Sequence, residues 1–170
     1  MGKLELAVKI LAEEMSPSLV PGGGSNIGYA LRGARTTMDV AGVRGGIVIT
    51  GSRVQPAGGL TFGSAEGVAR VVLTAMRTDP AIRSAAVIHC CPAILAILEE
   101  LLLEVCEFDR AREPPGVSTM DWGVASCCRE GVPDVIFDRG APGREPLVRI
   151  LGDEPVSIAQ TIVAVSHRLS

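Results

Sequence analysis

Apolar residues recur with helical spacing at the start of the chain. Leu4, Ala7, Val8, Leu11 and Met15 fall on one face of Lys3–Met15, which predicts an amphipathic helix. Pro17, Pro21 and Gly22–Gly24 break the pattern over Ser16–Ser25. Short apolar runs then predict strands at Asn26–Leu31 and Gly46–Thr50, and Arg53–Pro56 can return as a hairpin across Gly51-Ser52. From Ser64 the spacing turns helical again, with Val68, Val71, Val72, Ala75 and Met76 on one side. Pro80 stops that helix, with Arg77 in its last turn.

Ala85–Cys90 reads as a buried strand. Pro92–Leu103 reads as a helix with proline in its first turn and apolar residues nearly all round, and Val105–Asp109 as a short strand. Ser118 or Thr119 can cap a helix running to about Arg129, which Gly131 ends. Asp134–Asp138 and Leu147–Leu151 predict strands around the turn Arg139–Pro146. Ser157–Leu169 predicts a closing helix through Ile158, Ile162, Val165 and Leu169. Helices alternating with strands must cover both faces of a sheet, so the order predicts a three-layer α/β/α domain, with antiparallel pairs where the hairpins fall. No internal repeat interrupts it, and residues 1–170 are expected to form one domain.

Composition narrows this picture. Hydrophobic residues make up 47% of the 170 but aromatics only 3%, so the core is aliphatic. The net charge of −3 and the scattered basic residues argue against nucleic-acid binding by this domain itself. No apolar run reaches a membrane span, and the first fourteen residues lack a signal peptide's apolar core, so the expected compartment is the cytoplasm. A mean hydropathy of +0.35 suggests a buried face between copies, as in a homodimer. The five cysteines, Cys90, Cys91, Cys106, Cys127 and Cys128, fit neither a zinc ribbon nor a disulfide framework. They read as small buried hydrophobes in a reducing cell.

Four segments gather Gly, Ser, Thr, Arg and Asp where strands end and helices begin, the place where open α/β sheets hold ligands. They are Gly24-Ser25-Asn26; the stretch around Gly63 and Ser64; Asp109-Arg110 followed by Ser118 and Thr119; and Asp138-Arg139 with Gly143 and Arg144. Helix N-termini with Ser or Thr, and paired Arg in a Gly/Pro-rich turn, suit phosphate. The same residues serve as ordinary helix caps and solvated loops in other proteins. His167, near the end of the last helix, reads as structural.

Taken together, the segments resemble the ThiN domain of archaeal thiamine biosynthesis. The resemblance rests on Gly24-Ser25-Asn26-Ile27-Gly28-Tyr29-Ala30-Leu31, on Phe62–Pro80, on Phe108-Asp109-Arg110, on Ser118-Thr119 with Trp122-Gly123, and on Val132–Gly152. It implies a class II aldolase-type fold: three layers with a mixed, largely antiparallel sheet, like the domain that follows hydroxymethylpyrimidine kinases. It implies a transferase that joins hydroxymethylpyrimidine diphosphate to thiazole phosphate and releases pyrophosphate, or the sensor domain of ThiR-type repressors, which binds a thiamine phosphate. Ser25, Asn26, Gly63, Ser64, Asp109, Arg110, Ser118, Thr119, Asp138, Arg139, Gly143 and Arg144 are then the expected ligand contacts.

This chain departs from that pattern where the chemistry lies. The resemblance implies a His and an Arg in most active members at the positions that Gly67 and Gly46 hold here. Arg44 and His89 are the candidate substitutes. Losing a donor to the departing pyrophosphate costs roughly 10²–10³ in rate, so the expectation is a non-catalytic domain that binds thiamine phosphate or its precursors. The alternative is an active synthase. No cofactor is expected for binding; catalysis would call for Mg²⁺ on the diphosphate, with Asp109 and Asp138 as candidate ligands.

Overall fold

The computed structural model describes residues 2–112 and 119–169. Helix α1 (Gly2–Glu14) leads into β1 (Asn26–Ala30), β2 (Val40–Val43), the hairpin β3 (Ile47–Thr50) and β4 (Arg53–Pro56), and β5 (Leu60–Phe62). Then come α2 (Glu66–Thr78), β6 (Ser84–His89), α3 (Pro92–Glu100), β7 (Val105–Glu107), α4 (Thr119–Cys127), β8 (Val135–Phe137), β9 (Leu147–Gly152) and α5 (Pro155–Leu169). Seven strands form one sheet in the order β5-β2-β1-β6-β9-β8-β7. Its pairs are antiparallel except β7 with β8. The mixed, largely antiparallel three-layer architecture is therefore the one expected.

Strand side chains alternate between faces, and the layers follow from that period. On one face Ile27, Ala86, Ile88, Val148 and Ile150 pack under α1, α3 and α5. On the other, Ala30, Val40, Ala85, Ile136 and Leu151 pack under α2 and α4. Two strands lack a clear signature in the sequence. Val40-Ala-Gly-Val and Leu60-Thr-Phe are too short to show a period, yet they pair with each other and extend the sheet beyond β1. The hairpin β3–β4 is a separate two-stranded unit, tied to the start of β1 by a bridge between Ser25 and Ile47.

The cysteine reading needs correction. Cys106 on β7 and Cys127 on α4 form a disulfide, with their Cα atoms 6.0 Å apart. Spacing along the chain could not reveal it, because only the fold brings this strand and helix together. Cys90 and Cys128 are buried free thiols, as expected, and Cys91 is half-buried.

Gly123 sets how closely α4 approaches the sheet, since a Cβ there would overlap the Phe108 ring. Trp122 meets the same ring edge-on, with centroids 6.2 Å apart. Gly123→Ala should therefore cost about 1–3 kcal/mol by overpacking, read as a lower urea midpoint with an unchanged m-value.

Candidate ligand-binding cleft

A cleft of about 370 Å³ opens where β1 begins, β6 ends and α2 starts. Its walls are residues 23–26, 45–46 and 64–68, and Val87 and Leu147 form its apolar floor. The first turn of α2 lines it. The N-cap residue there is Ala65, which makes no side-chain capping bond. Ser64 does not cap the helix either; its hydroxyl accepts from the Thr61 hydroxyl at 2.6 Å. Among the described residues no side chain caps the first-turn N–H groups of α2, and the helix dipole adds partial positive charge at this end. An anion suits such a place.

Ser25 and Asn26 line the cleft, but their side chains are committed to the backbone. The Ser25 hydroxyl donates to the Val87 carbonyl. The Asn26 amide donates to the Val43 carbonyl at 2.9 Å, and its oxygen accepts from the Val43 N–H at 3.1 Å. Both side chains clamp β1 to its neighbours and so shape the floor.

Gly46 and Gly67 differ physically. At Gly46 the backbone is left-handed, φ 79°, and a Cβ would lie 2.7 Å from the Ser25 carbonyl oxygen. Any side chain there would push against the bridge that holds the hairpin. At Gly67 a Cβ would meet nothing within 4 Å, so a side chain could project freely from the first turn of α2. Arg44 is exposed two residues before Gly46. His89 is half-buried on β6, on the same face as Val87 and opposite Leu147. Gly63, with φ 80°, packs closely on Met38 and turns the chain into α2.

The third and fourth segments build a buried ion cluster beside the cleft. Asp138 is wholly buried. Its carboxylate accepts from Arg110 Nε at 2.6 Å and Nη2 at 3.3 Å, from Arg149 Nη1 at 2.7 Å, and from the Gly140 N–H at 2.8 Å. Arg149 is also fully buried and lies over the Phe108 ring at 4.9 Å. Burial holds its pKa below the usual arginine value, and the Asp138 carboxylate opposes that shift. The register Asn26–Val87–Arg149 places this arginine next to the cleft floor, under α2 and α4.

Arg139 does not pair with its neighbour Asp138. Its Nε donates to Glu107 at 2.9 Å, and its guanidinium lies over Phe137. Asp109 accepts from the Ala111 N–H. Gly143, with φ 75°, and Arg144 sit exposed in the tight 139–146 turn. Glu145 fastens that turn to the glycine segment, accepting from the Gly22 and Gly23 N–H groups at 2.9 Å each. Ser118 lies outside the described residues, and Thr119 is the first residue of α4.

With four donors on it, the Asp138 carboxylate has no position left for Mg²⁺. Among the described residues no three His, Cys, Asp or Glu side chains are grouped to hold a metal. Nor, among them, is any helix long and apolar enough to cross a membrane. Glu145 and Arg149 carry this architecture and were not among the expected site residues. Arg149 had a signal, a lone charge inside the apolar strand Leu147–Gly152; Glu145 had none.

A largely antiparallel three-layer domain with a cleft at a helix N-terminus defines the structural class. The N-terminal class II aldolase domain of a Thermoplasma acidophilum protein shares the fold, with TM-score 0.50, 15% identity, and 98% of this chain and 90% of that one covered. The chain belongs to the ThiN family: residues 3–164 match the family model described as thiamine-phosphate synthase ThiN. It is 34% identical over 160 residues to the bifunctional thiamine biosynthesis protein ThiDN of Methanocaldococcus jannaschii. That match covers 91% of this chain but 38% of the longer relative. It is 32% identical over 157 residues to the thiamine-phosphate synthase ThiN of Methanothermobacter thermautotrophicus, covering 88% of this chain and 83% of that one. A crystal structure of the C-terminal domain of phosphomethylpyrimidine kinase superposes with TM-score 0.90 at 33% identity, over 96% of each chain.

Removing the Asp138 carboxylate leaves two arginines facing each other with nothing between them. Asp138→Ala should cost about 3–5 kcal/mol, measured by urea denaturation. Burial, with Asp138 nearby, pushes the Cys90 thiol up to about 11. In the native protein at pH 8, Cys90 should stay unmodified by iodoacetamide, and peptide mapping after a timed exposure checks this.

Proposed function

We propose that this ThiN domain binds a phosphorylated thiazole or pyrimidine, with thiamine phosphate as the reference ligand, and does not catalyse its synthesis. The observation that carries the reading is the pairing of an open α2 N-terminus with two side-chain-free positions beside it. The phosphate sits against the first turn of α2, where N–H groups and the helix dipole favour it. The heterocycle packs on the apolar floor of Val87 and Leu147. Arg44, exposed next to the Gly45–Gly46 wall, adds long-range attraction for the anion.

Among the described residues, no Arg, Lys or His lines the cleft itself. In family members with synthase activity, His and Arg are implied at the positions held here by Gly67 and Gly46. Each absent donor costs roughly 10²–10³ in rate, while ground-state binding through the backbone is retained. The synthase reading has one observation in its favour besides the relatives' names: His89, half-buried on the face of the sheet that floors the cleft.

Calorimetry with thiamine phosphate should show saturable heat, and no heat at millimolar ligand overturns the binding reading. Pyrophosphate release from hydroxymethylpyrimidine diphosphate and thiazole phosphate should stay at background for the natural sequence. Release that is abolished in His89→Ala would establish the synthase reading instead. Because position 67 is open, Gly67→His should fold normally and raise release above the unsubstituted protein.

A further inference from the structure

The Cys106–Cys127 disulfide joins an edge strand of the sheet to a helix too short to hold itself. Cys106 is in the middle of β7, and Cys127 is the last residue of α4. A helix of nine residues is below the length that is stable alone in water, about 12–15 residues. The contacts described for α4 are Trp122 and Gly123 against Phe108, buried Val124, and packing on α2. Just past its end, the Thr78 hydroxyl donates to the Cys128 carbonyl.

The two bonded cysteines are as accessible as the free Cys91 and more so than the other two. Cys90 and Cys128 are buried thiols, whereas Cys106 and Cys127 are each half-buried. Together they line an open surface cleft of about 460 Å³, with Ser126, Arg129 and the carboxylates of Glu104 and Glu130. A small thiol can reach the sulfur atoms there without unfolding the domain.

We propose that Cys106 and Cys127 are a thiol–disulfide exchange site for a small dithiol, and that its reduction releases the C-terminal end of α4 from the sheet edge. A thiolate of the dithiol attacks one sulfur, forms a mixed disulfide, and expels the other cysteine as a thiolate, which takes a proton from water. The second thiol of the reagent then displaces the remaining cysteine and leaves as a cyclic disulfide. Two electrons pass to the protein, and an oxidised dithiol reverses the step. The consequence for the ligand cleft rests on the proposed function: α4 packs against α2, whose first turn is the cleft wall.

Trp122 is the only tryptophan and lies on α4, so its fluorescence reads this event directly. Protein prepared without reductant and then denatured should titrate with three free thiols, Cys90, Cys91 and Cys128. After dithiothreitol it should titrate with all five. Reduction of the native protein should shift the Trp122 emission to the red, reversibly. It should also lower Tm by about 6–12 °C, since the bridge closes a loop of 21 residues. Cys106→Ser should resemble the reduced protein and stop responding to dithiothreitol. Five thiols without reductant, or an unchanged Trp122 emission once five thiols are free, would overturn the proposal. Weaker heat with thiamine phosphate after reduction extends the switch to the cleft. No heat in either form, with the tryptophan response intact, counts against the binding reading alone.

Discussion

A carboxylate sealed from water keeps its charge only if positive groups and hydrogen bonds replace the lost hydration. Asp138 is in that position, and its replacements come from three places in the chain: Arg110 after β7, Arg149 in the middle of β9, and the N–H of Gly140 in its own turn. Because Arg149 sits inside the sheet, the cluster ties the 139–146 turn and the segment after β7 to the interior strands. Phe108 lies over Arg149, and α4 lies over Phe108. One buried ion cluster thereby sets the height at which a helix covers the sheet.

The cleft depends on a second kind of commitment. Ser25 and Asn26 spend their hydrogen bonds on the backbone of β6 and of Val43, next to the position where the chain turns into the hairpin. Glu145 spends its carboxylate on two backbone N–H groups of the glycine segment. Read along the chain, Ser25 and Asn26 suggest ligand contacts, whereas Glu145 gives no signal. In three dimensions all three side chains bond the backbone, and the cleft beside them is walled by residues 45–46 and the first turn of α2.

The elements with a strong period were legible in the sequence. Lys3–Met15 and the run from Ser64 to Pro80 became α1 and α2, since their apolar stripes cover opposite faces of the sheet. The helix expected over Pro92–Leu103 ends at Glu100, because Leu101 and Leu102 leave the helical path and Leu102 adopts φ 62°. β2 and β5 were not legible: three or four residues carry no period, and their pairing depends on the neighbouring strand. The candidate segments were found by residue type, but type could not show which side chains bond the backbone, as those of Ser25 and Asn26 do. Asp138 was grouped with Arg139 by adjacency, whereas its partners are Arg110 and Arg149, brought there by strand register. The disulfide escaped for the same reason.

Gly46 and Gly67 look alike in a sequence, yet the fold makes them unequal as places for a side chain. A histidine at position 67 would enter open space beside the helix. An arginine at position 46 would meet the Ser25 carbonyl and a backbone that only glycine adopts easily. Fitting it would require the bridge between β1 and the hairpin to be rebuilt first. The hairpin therefore acts as a filter on variation: position 67 has room for a side chain, while position 46 is held to glycine by the strand it leans on.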